Sequence, residues 1–527
     1  MNKIVLLFFL VVNSICFGQF GNIFIDSSFA DEGSLEFKIG EHPFIASILK
    51  KQSDNKFIIG SNSYIYPFNP DTNYFVMARI FVDGQLDTTF GVNGFVKTKV
   101  ISNRTTNINC IDISSEGKIL LSGTNYDSLY NKSKVFVIYN QNGSLDSSFS
   151  DDGVLMTNFN FTNDFSIADV KFYNNEILFA GTCSFFDEAS HSYLYPNNII
   201  IGKLNPQVVL DSTYYVNNLK TIYLQDSLIS CAAYKIVLFS NNDYLLFGQS
   251  GPFPYEKFAK KFMSKGELDS TFGVDGLLDL NTTLDLRDIK ILDNNDFLVL
   301  LQNNPSILIK YDNNGQQKTD FGINGVMNYK LLDASHESFN TINIDENKNI
   351  ILTGNSGDYE RSGYAYVRLK SNGQIDHALC PQYFYDNPNN SFYEGSTMSI
   401  YLGNGKVLFS GRHTIKHESP VDYSGFYTYL KKLDLNKNVN CKYFEKGELL
   451  DVYPNPTVDK IQIKYSYNLD DWMQLEIFDM HGVQVLKKEI EAMNSEINLN
   501  LNPGLYFYRI YDRYDGKIIK QDKLVVL

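Results

Sequence analysis

The stretch Leu86-Asp87-Thr88-Thr89-Phe90-Gly91-Val92-Asn93-Gly94 decides the fold, because its pattern returns along the chain at a nearly fixed distance. A strand-like run, Phe75-Val76-Met77-Ala78-Arg79-Ile80, and the turn Asp83-Gly84 precede it. The unit recurs as Ser144-Leu145-Asp146-Ser147-Ser148-Phe149, as Glu267-Leu268-Asp269-Ser270-Thr271-Phe272-Gly273-Val274-Asp275-Gly276, and as Thr319-Asp320-Phe321-Gly322-Ile323-Asn324-Gly325. Blurred copies stand at Asp26, Asp211, Asp376 and Asn440. These eight anchors lie 51 to 65 residues apart and enclose seven intervals.

Each interval holds a second recurring unit, a polar turn and an apolar run that mostly ends in Gly. Examples are Asp54-Asn55-Lys56-Phe57-Ile58-Ile59-Gly60 and Asn347-Lys348-Asn349-Ile350-Ile351-Leu352-Thr353-Gly354. Its Asn, Asp and Gly supply the positive φ of two-residue hairpins. The strand before the turn, the apolar run itself, a further strand after it and a short run behind each anchor, such as Phe95-Val96-Lys97-Thr98, make four strands per interval. Four short strands repeated seven times predict a seven-bladed β-propeller. The strand near Ile23 to Phe29 is expected to complete the last blade and close the ring.

The repeated residues resemble the delta-60 repeat of bacterial exported proteins, whose signature runs roughly Asp-Gly-x-Leu-Asp-x-x-Phe-Gly-x-x-Gly. The resemblance covers about residues 24 to 443, is weak at Asp211, where Tyr214 stands for the Phe, and implies architecture and surface location without an enzymatic activity.

Composition agrees. The chain has 527 residues, too many for one ordinary core, and 39 Phe, 35 Tyr and only 20% charged residues set it apart from a disordered profile. A formal charge of -14 with no basic run argues against a nucleic-acid partner. At the start, Lys3 and the apolar run Ile4 to Val12 read as a secretory signal peptide over residues 1–18, cut between Gly18 and Gln19. Lipidation at Cys16 competes with this reading, but Asn13 and Ile15 do not suit a lipobox. No later stretch is long and apolar enough for a transmembrane anchor.

A residue type needed in every blade is expected to build joints, whereas an active site is needed once. Asp87, Asp146, Asp269 and Asp320 are assigned to side-chain hydrogen bonds in the turn entering the next blade. Phe90, Phe149, Phe272 and Phe321 should be buried between blades, and Gly94, Gly276 and Gly325 should adopt backbone angles that other residues avoid. A basic residue stands eight positions before the anchor at Arg79, Lys203, Lys261, Arg368 and Lys432, and Lys310 fits with two extra residues. It either blunts an edge strand or pairs with an anchor Asp.

Other chemistry is sparse. Cys110 and Cys231 read as core residues, and Cys380 and Cys441 follow equivalent anchors and are candidates to pair. His413 and His417 sit in a loop-like stretch with no helix to align them on zinc. Asp434, Asn436, Asn438, Asn440 and Glu445 fall at calcium-loop positions, but Val439 stands where Gly is needed. We therefore expect no catalytic residue, no cofactor and no metal beyond this weak calcium candidate.

Past a linker at 444–451 the pattern changes to period-two strands: Tyr453-Pro454-Asn455-Pro456, a turn through His481-Gly482, the block Pro503-Gly504-Leu505-Tyr506-Phe507, and a final Lys523-Leu524-Val525-Val526. They predict a small β-sandwich over 452–527, following a propeller over 19–443. In this order they resemble the type A C-terminal sorting domain of the type IX secretion system; an adhesive Ig-like module is the plainer reading. The resemblance implies passage through the outer membrane by the type IX machinery, with release or surface attachment to follow.

The expected function is that of an exported, non-enzymatic propeller that binds or scaffolds a surface glycan or protein. The alternative is a polysaccharide hydrolase or lyase with carboxylates gathered at the central channel.

Overall fold

The computed structural model describes residues 26–31, 33–39, 42–43, 45–62, 74–99, 106–126, 132–157, 164–187, 192–205, 219–222, 231–251, 254–328, 336–357, 362–376, 382–384, 391–415, 426–434, 450–465, 473–490, 494–512 and 518–527. They are all-β, with no helix among them. They fall into two compact units, one within residues 18–440 and one within 441–527.

In the first unit the described residues form seven antiparallel sheets that follow one another along the chain. The first contains Ile45–Lys51, Phe57–Asn62, Phe75–Ile80 and Phe95–Thr98, hydrogen-bonded in that order. The opening strands of the next six are Thr106–Ile113, Asp164–Tyr173, Cys231–Leu238, Leu286–Ile291, His336–Ile344 and Ser391–Gly403. Each opening strand packs against that of the following sheet, and Ser391–Gly403 packs back against Ile45–Lys51. The opening strands therefore line the inside of a closed ring, which is a propeller-like arrangement. Buried Ile, Leu, Val and Phe on both faces of the middle strands, such as Phe57, Ile58 and Ile59, form the packing between sheets.

The ring closes one element later than the sequence suggests. The fourth strand of the seventh sheet is Ser34–Ile39, paired with Phe426–Asp434 through Leu35 opposite Leu430 and extended at its edge by His42–Pro43. Residues 26–29 are the turn that precedes this strand, and the Asp26 N–H donates to the Lys432 carbonyl at 2.8 Å. The physical reason lies in the repeat, since the outer strand always follows the Phe of the anchor turn, as Phe95–Thr98 follows Phe90. Asp26 thus takes the anchor position of the seventh sheet. The eighth anchor, Asn440, lies outside the described residues, as does Asp211.

Every opening strand carries a register irregularity at the same place. It falls between Ala46 and Ile48, Ile108 and Cys110, Ile167 and Asp169, Ala233 and Lys235, Leu286 and Asp288, Phe339 and Thr341, and Ser396 and Met398. The residue opposite it on the second strand is Gly60, Gly123, Gly181, Gly248, Leu301, Gly354 or Gly411. This accounts for the Gly that ends the apolar runs. A bulge pushes backbone toward the partner strand, so a Cβ on Gly354 would stand 2.1 Å from the Ser338 carbonyl oxygen.

The turns between first and second strands also differ in part from expectation. Only Asn174-Asn175 and Asn404-Gly405 are two-residue loops with both φ positive. Elsewhere the loop is longer, as between the paired Lys51 and Phe57, with a single left-handed residue such as Asn55, Asn242, Asn295 or Lys348.

The second unit pairs Leu450–Tyr453, Lys460–Tyr465 and Asn494–Asn498 in one sheet. Gln484–Ile490, Met473–Phe478, Gly504–Asp512 and Ile518–Val526 form the other. Ile461, Ile463, Leu475, Ile477, Ile497, Ile510 and Leu524 fill the space between them, a small β-sandwich. Its first strand begins at Leu450, inside the segment expected to be linker, because Leu450 and Asp451 pair with Tyr465 and Lys464.

Candidate functional site

The anchor residues build a joint that recurs from sheet to sheet. One oxygen of Asp87 accepts from the Thr89 amide at 3.1 Å and the Thr89 hydroxyl at 2.6 Å. Asp26 with Ser28, Asp146 with Ser148 and Asp269 with Thr271 repeat this local turn. The other oxygen takes cations. Arg79 Nε stands 2.8 Å and Lys56 Nζ 3.1 Å from Asp87, Lys261 stands 3.2 Å from Asp269, and Arg368 stands 2.6 Å from Asp376. Lys432 and Lys406 lie 3.3 and 2.7 Å from Asp26. Burial alone would raise the Asp87 pKa, but hydrogen bonds from Thr89 and Lys56 and the Arg79 charge hold it at about 2.

The same cations reach the next sheet. Arg79 donates to the Gln141 carbonyl, Lys203 to Ser264 at 3.2 Å, Lys261 to Asn313 at 3.2 Å and Lys432 to Val82 at 3.1 Å. Phe29, Phe90, Phe149, Phe272 and Phe321 are at most 1% exposed. Phe90 fills the space over Gly143 of the following sheet, where a Cβ would lie 2.8 Å from the ring and the φ of +87° excludes most side chains. The amide after it completes the joint, Gly91 donating to Asn142 at 2.8 Å, Gly273 to Asn314 at 2.8 Å and Gly322 to Asn372 at 2.7 Å. Gly94, Gly276 and Gly325 have φ of 90°, 82° and 88°.

One anchor is corrected. In the fifth sheet the amide that donates to the cationic residue eight positions earlier belongs to Lys318, just as Asp87 donates to Arg79. Phe321 donates to Lys318 as Phe90 does to Asp87, so Asp320 is two positions out of register and stands exposed. Lys310 needs no extra residues, and its carboxylate comes from Asp296 in the first turn, at 3.6 Å. Charge is exchanged between two positions of the joint, since the first turn supplies cations elsewhere, as at Lys56, Lys118 and Lys406.

A second set of polar residues, not singled out by sequence, sits on the opening strands. Asp112 accepts from the Phe172 amide at 2.8 Å, Asp169 from Ile236 at 3.0 Å, Asp288 from Ile342 at 2.9 Å and Asn343 from Tyr401 at 2.9 Å. Each bond joins one sheet to the next around the inner wall. Lys171 pairs with Asp169 at 2.9 Å and Lys235 with Asp288 at 2.6 Å. Burial and the neighbouring Lys171 charge push the Lys50 ammonium down. Burial pushes the Cys110 thiol up to about 12, so it stays protonated and is not activated as a nucleophile or thiolate ligand.

The remaining sequence candidates are placed as follows. Asp434 ends the strand Phe426–Asp434, opposite Lys406. Asn436, Asn438, Glu445, His417, Cys380, Cys441, Gly18 and Gln19 lie outside the described residues, among which no group of three or more His, Cys, Asp or Glu side chains is arranged to hold a metal. Among the described residues, Cys110, Cys183 and Cys231 are not joined in disulfides.

In the sandwich, the Asn455 amide donates to the Lys523 carbonyl at 2.7 Å and accepts from the Val525 amide at 3.0 Å. Thr457 continues the contact, its amide donating to Val525 at 2.8 Å and its carbonyl accepting from Leu527 at 2.7 Å. The segment Tyr453 to Thr457, with cis bonds before Pro454 and Pro456, thereby clamps the final strand. Gly482 has φ +79° in a turn capped by Asp479, which accepts from His481 and Val483. Gly504 opens the strand opposite Val526, and the Tyr506 hydroxyl donates to the Asn502 carbonyl at 2.9 Å.

The family model described as a secretion system C-terminal sorting domain matches residues 451–526. No curated protein matches the chain in sequence. Among solved structures, Drosophila Semaphorin 2a is similar at 8% identity with a TM-score of 0.40, over 93% of this chain and 97% of that one. YCF48 bound to D1 peptide is similar at 6% and 0.39, over 79% and 98%. A post-proline cleaving enzyme from Rickettsia typhi is similar at 10% and 0.39, over 87% and 56%. The architecture rests on the sheet order and not on these likenesses. Sequence pattern, clamp and family match coincide, so the chain carries at residues 451–526 a secretion system C-terminal sorting domain.

Proposed function

We propose that this is an exported surface or secreted protein in which a closed seven-bladed propeller of delta-60 type serves as a non-enzymatic binding scaffold. The sorting domain at residues 451–526 is the observation that carries export, and the type IX machinery is its partner. No helix among the described residues is long and apolar enough to cross a membrane. The scaffold reading draws support from the inner wall. Asp112, Asp169 and Asp288, acids of the inner wall, are each engaged by an amide of the next sheet, and two of them also by a lysine. They act as ties of the ring.

The test is localisation in a bacterium that has type IX secretion. The full chain is expected outside the outer membrane, and a chain truncated before residue 450 is expected in the periplasm. Equal export of both would refute the reading.

A further inference from the structure

The bulged residues of the opening strands form one ring of positions, one per sheet. They are Ser47, Asn109, Ala168, Tyr234, Arg287, Asn340 and Thr397. A bulge re-aims its side chain away from the ladder. Five of the positions are small or carry a short polar group. The two large residues, Tyr234 and Arg287, stand on adjacent sheets.

Each is held by a glutamine at the end of its own second strand, Tyr234 by Gln249 and Arg287 by Gln302. Between them Lys257, 3% exposed, places its ammonium 2.9 Å from Gln249 Oε1, 3.7 Å from Asp285 and 5.6 Å from the Tyr234 ring centroid. Of its three N–H donors, one has an acceptor within hydrogen-bond distance, Gln249 Oε1, and the Asp285 carboxylate is the nearest anion. Tyr255 is half-buried, and burial, then the Asp285 carboxylate and the Tyr255 hydroxyl, push the Tyr234 hydroxyl pKa up.

The charges do not cancel. Lys257 and Arg287 are cations, Asp285 is the one acid among these residues, and the exposed Arg287 is bonded to the neutral Gln302. Two planar amides, a tyrosine face, a buried donor and an exposed guanidinium next to one another match a pyranose that carries an acidic group. The ring stacks on tyrosine, the hydroxyls meet the amides and Lys257, and the anion meets Arg287.

We propose that Tyr234, Gln249, Lys257, Arg287 and Gln302 form a binding site for an acidic sugar of an extracellular polysaccharide. The proposal rests on the reading of the ring as a binding scaffold and names its ligand class. Localisation tests the export part of that function in cells, whereas binding at this site is read on purified protein, so the two fail separately.

The experiment is titration calorimetry of the full chain with oligoalginate as the carboxylate probe, sulfated dextran as the sulfate probe and neutral dextran as control. Saturable binding of at least one acidic glycan is expected, with no binding of neutral dextran. Preference between the two probes distinguishes carboxylate from sulfate. Arg287→Ala, an exposed change, is expected to weaken binding at least tenfold with the melting temperature unchanged. Tyr234→Phe, which keeps the ring, should weaken it less than Tyr234→Ala. Lys348→Ala in a first-turn loop should leave binding intact. Absence of binding to either acidic glycan by folded protein, equal binding of neutral dextran, or full binding by Arg287→Ala overturns the proposal.

Discussion

Asp87 and Asp320 stand in nearly the same sequence motif, and the structure assigns them opposite energetic weights. Asp87 is fully buried and receives Arg79, Lys56 and both donors of Thr89. Removing its carboxylate in Asp87→Ala leaves the Arg79 guanidinium, 3% exposed, without its anion. Breaking a buried pair in this way costs about 3–5 kcal/mol. For a cooperative unit of about 400 residues the unfolding entropy is about 0.8 kcal/mol/K, so the melting temperature should fall by about 4–6 °C. Asp320 is exposed, and Lys318 occupies the anchor position in its sheet. Asp320→Ala should stay within about 0.5 kcal/mol, a shift below about 1 °C. Differential scanning calorimetry of the two full-length variants decides. Equal shifts, or a larger shift for Asp320→Ala, would refute the register assigned to the fifth sheet and the role given to the joint.

Three further outcomes follow from the same geometry. The folded pKa of Asp87, about 2 against an ordinary 3.8, is depressed, so its contribution is fully present above about pH 4 and is lost as pH falls toward 2. An acid unfolding series should show wild type losing stability across that window more steeply than Asp87→Asn, and parallel curves would contradict it. Gly354→Ala sets a Cβ 2.1 Å from the Ser338 oxygen and should cost about 1–3 kcal/mol, read as a lower denaturation midpoint; an unchanged midpoint would remove the bulge as the reason for that glycine. In the sorting domain, Asn455→Ala breaks two bonds to the last strand, so amide exchange at Val525 and Leu527 should accelerate at least tenfold, whereas unchanged exchange would dismiss the clamp.

The joint was legible because it is local. Asp87, Thr89 and Phe90 act within one turn, so their spacing survives in the sequence wherever the turn does, and the cation eight residues earlier sits across a two-strand register that never varies. Where legibility failed, the deciding bond ran between segments. Asp320-Phe321-Gly322 imitates the motif, and only the amide of Lys318 donating to Lys310 exposes the slip. Intervals counted from anchor to anchor put the closing strand near residues 23–29, whereas the strand that closes the sheet comes after the Phe, at Ser34–Ile39. Asp112 and Asp169 stand between apolar neighbours as solvent-facing residues do, and a linear pattern cannot tell solvent from the inside of a ring. The bulges left one trace, the Gly that ends the apolar runs, and its absence at Leu301 shows the limit of that trace. The fifth sheet keeps its bulge beside Arg287 without the glycine. A glycine therefore reports where a bulged backbone presses on its partner, and the side chain the bulge turns outward must be read from the strand before it. By that rule Tyr234 and Arg287 stand out against the small residues at the other bulges, and the asymmetry of the ring is written at those two positions.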